Sequence, residues 1–330
     1  MFLKSVKVVA AASVLAAVCI APAWAEKISM ESTAPTSVVG MVPQALAPKW
    51  AAAGVDVELA LGQTLTKSLL KMGQGSLDSS VVPLPAYNLL VLGKGPYAQM
   101  GAEKGKALAD NVRSLFAFTA STYHPIVWAD SGINSWADVK GKRVYIGPPA
   151  GAANAQIMGL IKAASGLEEG KDYTGIKAPW GVAADGFRDG QYDVYVGVYG
   201  VGGQALAELS LSRKIRILSL KDRADPPEVL GLAVGDIPAG SYPGMVNTDN
   251  VIAWKTLMMM AVKKDVSDDV AYKLTKTYFD SIPALKAGNV GLAVLDPADA
   301  FDGLAAPLHP GAMKYYKEVN RAVPAKLVAK

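Results

Sequence analysis

Hydrophobic and polar positions along this chain follow two periods that take turns. Over residues 192–199 the period is two: Tyr192, Val194, Val196 and Val198 face one way, and Asp193, Tyr195, Gly197 and Tyr199 the other. That is the pattern of a strand. Over residues 64–72 the period is helical, with Leu65, Leu69 and Met72 on one face. After residue 152 it is helical again, placing Ile157, Met158, Leu160 and Ile161 largely on one side. Read this way, strands are expected at 26–30, 55–61, 80–82, 143–146 and 192–199. Helices are expected at 38–53, 64–72, 182–188 and 204–211. Residues 111–120 and 125–129 read as two strands with a polar turn, 119–124, between them. A long strand at 250–262 and helices near 265–281 and 312–323 close the chain. Strand and helix alternate, which predicts α/β architecture.

The first 25 residues follow neither pattern. Lys4 and Lys7 precede an apolar run from Val8 to Ile20, and Ala23-Trp24-Ala25 has the small-x-small form of a cleavage site. This predicts a signal peptide cleaved after Ala25 and a periplasmic location. The alternative is an uncleaved anchor, for which the run is short. The one cysteine, Cys19, lies inside this segment behind Val18, an unsuitable neighbour for lipid attachment. From residue 26 on there is no thiol for a nucleophile, a disulfide or a metal. Without Lys4 and Lys7 the formal charge drops from +4 to +2, which gives no case for nucleic acid. The remaining length exceeds what one core usually supports, so two lobes are expected.

Four strand-to-helix turns are rich in small or kinked residues: 32–37, 83–87, 147–154 and 199–203. In open α/β sheets ligands bind beyond the carboxyl ends of strands, where such turns lie. The free N–H groups of a helix starting near Ala153 would favour an anion such as a carboxylate. The plainer reading is that glycine and alanine only make compact turns. Nucleotide motifs fail on detail: G-x-G-x-x-G is absent from 147–154, the Gly200-Val201-Gly202-Gly203 turn lacks the third glycine, and no P-loop lysine follows either turn. Two histidines, His124 and His309, leave little from which to build a metal site or a triad. Tyr123-His124 reads either as a polar wall of a cleft or as a packed pair. Trp180 could stack on a ligand or pack in the core. Tyr199, at a strand's end, reads either as facing a ligand or as part of the packing. No metal and no cofactor are expected.

At these residues the chain resembles a known family. Asp138-Val139-Lys140-Gly141-Lys142-Arg143-Val144 and Ile146-Gly147-Pro148-Pro149 resemble the D-L-K-G-K-x-V-x-x-G-x-P-G-S-G-T signature of bacterial solute-binding proteins. Asp189-Gly190-Gln191-Tyr192-Asp193 resembles their D-G-x-x-D-A segment. The stretch Pro307-Leu308-His309-Pro310-Gly311-Ala312-Met313-Lys314-Tyr315-Tyr316-Lys317-Glu318 is similar to the close of the TAXI family, the binding subunits of TRAP transporters. The resemblance implies a type II periplasmic binding protein: an α/β chain of two lobes, hinge strands and a ligand cleft between them. It implies lobe 1 at 26–125 and 223–330, lobe 2 at 126–222, a monomer, and delivery of a small organic acid to membrane permease subunits. By position it implies a first loop with Ser32, Thr33, Thr36 and Ser37 and a second with Pro83 and Leu84. The third loop is Ala150, Gly151, Ala152, Ala153 and Asn154, and the fourth is Tyr199 and Gly200; Tyr123 and Trp180 join the set as cleft walls.

The departures from the pattern carry information. The second loop of the family usually has a Gln-Ser pair where Pro83-Leu84 stands here, and the third has G-S-G-T where this chain has Ala150-Gly151-Ala152-Ala153. A site stripped of those polar groups holds a second polar group poorly, since an unpaired polar group is costly to bury. The expectation is an apolar monocarboxylate or an aromatic acid. Rival readings are a sensing subunit with the same cleft, and a periplasmic hydrolase, which would need a placed nucleophile and base but has no G-x-S-x-G elbow.

Overall fold

The computed structural model describes residues 26–149, 152–220 and 222–329. The expected signal peptide and its cleavage point after Ala25 lie outside the described residues, as do Ala150 and Gly151. The chain runs β1 (Glu26–Glu31), α1 (Val38–Ala52), β2 (Val55–Ala60), α2 (Leu65–Gly73), β3 (Ser79–Pro83), α3 (Leu84–Leu92), α4 (Gly101–Ala109) and β4 (Val112–Trp128). It continues with β5 (Arg143–Tyr145), α5 (Ala152–Ser165), β6 (Thr174–Ile176), α6 (Trp180–Arg188), β7 (Val194–Tyr199), α7 (Gln204–Ser212) and β8 (Ile215–Ile217). Then come β9 (Leu232–Ile237), β10 (Val251–Lys263), α8 (Asp268–Gly288) and α9 (Pro310–Glu318).

Strand pairing divides this chain into two wings and a spine. β1 pairs in parallel with β2 and β3, and β5 pairs in parallel with β6 and β7. Each wing is a strand-helix-strand unit of the kind the alternating pattern predicts. The wings join through an antiparallel spine, with β10 against β3, β4 against β10, and β7 against β4. β8 adds to β4 and β9 to β10.

Apolar side chains gather into separate cores on the two wings. The first core takes Val112–Ala120 of β4 and Leu257–Val262 of β10, together with β1, β3, α1, α2, α8 and α9. The second begins at Tyr123 and ends at Trp254. It has two layers, because alternate residues of each strand point to opposite faces. Val194 and Val196 lie in one layer with Ile157, Leu160 and Ile161 of α5. Tyr195 lies in the other with Ala183 and Phe187 of α6. Only Ser121, Thr122, Lys255 and Thr256 separate the cores along the two spine strands. Leu232, Val234, Ile237 and residues 251–254 pack with the second core, and Ala233 packs against the first. The β9–β10 ladder, from Ile237↔Val251 to Leu232↔Thr256, joins these segments.

The expected turn at 119–124 is absent; β4 runs through it as one strand. Of the polar residues that suggested a turn, Thr119, Ser121, Tyr123 and His124 have side-chain partners far along the chain. Thr119 Oγ1 donates to Asp299 at 2.6 Å, Ser121 and Thr256 hydroxyls bond at 2.7 Å, and Tyr123 donates to Gln156 at 2.6 Å. Pro125 cannot donate to a ladder, but its carbonyl accepts from Leu218 N–H. A second difference concerns Pro83-Leu84-Pro85, expected as a loop. Pro83 ends β3 and Leu84 starts α3 directly, with Pro85 in the first turn, where a missing N–H costs nothing. Ser37 is the N-cap of α1, its Oγ accepting from Gly40 N–H.

The family-like close at 307–318 braces the first wing. His309 caps α9, its Nδ1 accepting from Gly311 N–H while Nε2–H donates to Val266 O. Tyr316 OH donates to Leu115 O, and Ser114 bonds the backbone at Pro307 and His309. Among the described residues no helix is long and apolar enough to cross a membrane.

Beside the spine, Lys255 of β10 pairs with Asp299, which is almost fully buried and also accepts from Thr119 of β4. Removing one partner of a buried pair strands the other charge. Asp299→Ala is expected to cost about 3 kcal/mol, read as a lower urea midpoint with an unchanged slope. A loss under about 1 kcal/mol would mean the pair behaves like a solvent-exposed one.

Candidate functional site: a cleft where the two cores meet

Between the cores lies a cavity of about 1620 Å³. This exceeds the usual few hundred to 1,000 Å³ of a ligand pocket. The floor is the spine: Ala120, Ser121 and Thr256. The first-core wall comes from the starts of α1 and α3, with Met41, Leu89, Leu257, Met258 and Val290. The second-core wall carries Tyr123, Gln156, Trp180, Tyr195, Tyr199 and the turn Gly200–Gly203 that opens α7.

The structure distributes the expected site residues unevenly. Thr36, Ser37, Pro83, Tyr123, Trp180, Tyr199 and Gly200 line the cavity. Ser32 does not: it is buried, and its Oγ donates to Val39 O. Thr33 is half-buried outside the lining, and Leu84 turns into the first core. Ala153 packs on the second core and Asn154 is buried, its side-chain amide donating to Ile146 O. Asn154 therefore fastens the β5–α5 turn instead of presenting its amide to a ligand. Ala152 is the first residue of α5.

Other lining residues went unread in the sequence. Gln156, Tyr195, Ser121 and Thr256 need the fold to bring them to the cavity. Tyr195 did carry a signal: it shares a strand face with Gly197 and Tyr199. The glycine between them is required, because a Cβ at 197 would stand 2.4 Å from the Tyr199 ring.

No Asp, Glu, Lys, Arg or His lines the cavity among the described residues. Its polarity comes from hydroxyls, amides and the first turns of helices. α3, α6 and α7 begin at the cavity with no side chain capping their N–H groups. Such ends carry partial positive charge. Burial raises the pKa of Tyr123, Tyr195 and Tyr199, so these phenols stay neutral.

Behind the second wall His124 is fully buried in β4 and does not reach the cavity. Its Nδ1–H donates to Thr122 O, and its Nε2 accepts from Tyr242 OH at 2.8 Å. The Tyr242 oxygen in turn accepts from Gly202 N–H. Burial pushes His124 down to about 4, so the ring is neutral, as this chain of bonds requires. Among the described residues no group of three or more His, Cys, Asp or Glu could hold a metal ion.

A model of the NMT1-like family matches residues 68–319, from α2 past the end of α9. The chain belongs to the NMT1-like family. Among solved structures, this NMT1-like chain is similar to a putative periplasmic sulfonate-binding protein, SsuA, of an ABC transporter from Methylobacillus flagellatus KT. The likeness has a TM-score of 0.51 at 12% identity and covers 92% of this chain and 80% of the other. It also matches the alkanesulfonate-binding protein SsuA from Xanthomonas axonopodis pv. citri bound to MOPS, with a TM-score of 0.47 at 15% identity over 89% and 90% of the chains. A TRAP periplasmic solute-binding protein from Rhodobacter sphaeroides gives 0.46 at 10% identity over 81% and 84%. The fold is that of a two-lobed periplasmic solute-binding protein.

The buried histidines set a pH dependence. Burial lowers the pKa of both His124 and His309 in the folded state. An unfolded histidine titrates near 6.5. Between there and about 4, the folded value of His124, the unfolded chain binds more protons, so stability falls as pH falls. The melting temperature is expected to drop from pH 7.5 to pH 5. The drop should be smaller in His124→Gln, which keeps a polar side chain but cannot titrate. An equal drop in both proteins would remove His124 as its source.

Proposed function

We propose that this chain is an extracytoplasmic solute-binding protein that captures a small, largely apolar monoanion and delivers it to a membrane transporter. The observation that carries this reading is the cleft itself: a large cavity between two cores, free of charged side chains among its described residues. A carboxylate entering it would meet uncapped helix N-termini, which bind anions through backbone N–H groups. The rest of the ligand would lie on Met41, Leu89, Leu257 and Met258 and on the rings of Trp180 and Tyr199. A second charge would find no opposite side chain, and an uncompensated charge is expensive to desolvate.

Closure follows from the architecture. A ligand that touches both walls favours the form in which both contacts exist. The bend would fall at Ser121, Thr122, Lys255 and Thr256. Its partner would be the permease of a TRAP transporter, an assignment resting on the TAXI-like close at 307–318. The hydrolase reading lacks support: both histidines are buried and held in hydrogen bonds away from the cavity. The NMT1-like membership and the solute-binding fold favour binding without chemistry.

Thermal melts of the chain from Glu26 onward test the reading. The panel is hexanoate, benzoate, glutamate and 2-oxoglutarate. A ligand at 100 times its Kd adds about 2.7 kcal/mol. Hexanoate or benzoate is expected to raise the melting temperature, and the doubly charged acids are not. Equal shifts with glutamate and benzoate would overturn the monoanion assignment, and no shift with any acid would overturn an acid ligand.

A further inference from the structure

We infer that Tyr199 sets the ligand's orientation, its hydroxyl donating a hydrogen bond to the ligand's acid oxygen from the second-core wall. The inference rests on the binding reading above and adds a residue role to it.

Consider where each polar side chain of the cavity spends its hydrogen bonds. Ser121 and Thr256 bond one another. Tyr123 donates to Gln156, whose amide donates to Leu230 O. Gln204 donates to Glu208, and Asn289 accepts from Gly291 N–H. These groups serve the walls. Tyr195 and Tyr199 differ. Their hydroxyls lie 2.8 Å apart, and neither has another partner. Two hydroxyls carry two hydrogens, and one bond uses only one. Tyr195 is 3% exposed, and a buried hydroxyl hydrogen is rarely left unused. Either oxygen can donate, and we assign the donation to the more buried Tyr195, with Tyr199 accepting. The hydrogen of Tyr199, a half-buried residue lining the cavity, remains for a ligand.

Two further facts make this a placed donor. The Tyr199 ring stands edge-on to His124 and to Tyr195, with centroids 5.7 and 6.3 Å away. The backbone just beyond it is pinned by the bond from Gly202 N–H to Tyr242, itself tied to His124. Thr36 and Thr66 also line the cavity without a side-chain hydrogen bond, but they stand on the first-core wall. Among the described residues two side-chain donors stay open on the second wall, the Tyr199 hydroxyl and the Trp180 indole N–H, and only the Tyr199 hydroxyl is held by a buried partner. An acid oxygen would face it there, and the hydrocarbon would lie toward the aliphatic first-core wall. Tyr195 is a positioning residue, acting through Tyr199.

Binding of benzoate and of toluene, which has the ring but no acceptor, tests the inference in wild type, Tyr199→Phe and Tyr195→Phe. Losing one hydrogen bond to a charged oxygen should weaken benzoate about ten-fold or more. Tyr199→Phe is expected to do so while leaving toluene unchanged. Tyr195→Phe should weaken benzoate less, again without moving toluene. If wild type binds benzoate and both variants match it, the inference fails and the binding reading stands. If both variants weaken benzoate and toluene equally, the tyrosines only shape the wall, and the inference fails. If wild type binds neither benzoate nor hexanoate, the monoanion reading falls and the inference falls with it.

Discussion

Everything in this molecule hangs on the β4–β10 ladder. These two strands run the length of both cores, and four residues carry them across the gap. The ladder shifts register twice, between Thr256 and Leu257 at that crossing and between Met260 and Ala261 inside the first core. A bulge weakens pairing locally and bends the strand. On either side the strands are locked by burial: Phe116, Phe118 and Met260 in one core, Ile126, Val127 and Trp254 in the other. The cavity floor is built from that crossing.

The pattern of the sequence revealed the wings better than the spine. Within a wing a strand has one helix-covered neighbour, so the periods of two and 3.6 are local and readable. The spine is different. Ser121, Tyr123 and His124 look like part of a turn because their partners, Thr256, Gln156 and Tyr242, lie far along the chain. α3 was hidden by Pro83 and Pro85, which read as loop until one sees that both stand at a helix start. The site was half legible for the same reason. Tyr199 and Trp180 could be placed from strand ends and loop position. Ser32, Leu84 and Asn154 sit in the right loops but point inward, and side-chain direction within a loop has no periodicity to betray it.

The cleft's electrostatics are consistent with its partners. Ion pairs such as Arg143–Asp193 and Lys71–Glu31 involve side chains outside the cavity lining. The walls keep neutral tyrosines, a neutral buried histidine behind them, and open helix ends. Such a site can hold one negative charge without a counter-cation. Burial keeps the tyrosines of the lining neutral near neutral pH.

The central claim is that an acid draws the two walls together about the spine. Val182, just inside α6, and Val290, across the cavity, are 54% and 74% exposed. The one native cysteine is Cys19, so in the chain from Glu26 onward spin labels at Val182→Cys and Val290→Cys would report only this distance. Pulsed electron resonance with and without saturating benzoate measures it. A shorter, narrower distance distribution is expected with the acid bound. An unchanged distribution in protein that demonstrably binds the acid would contradict it.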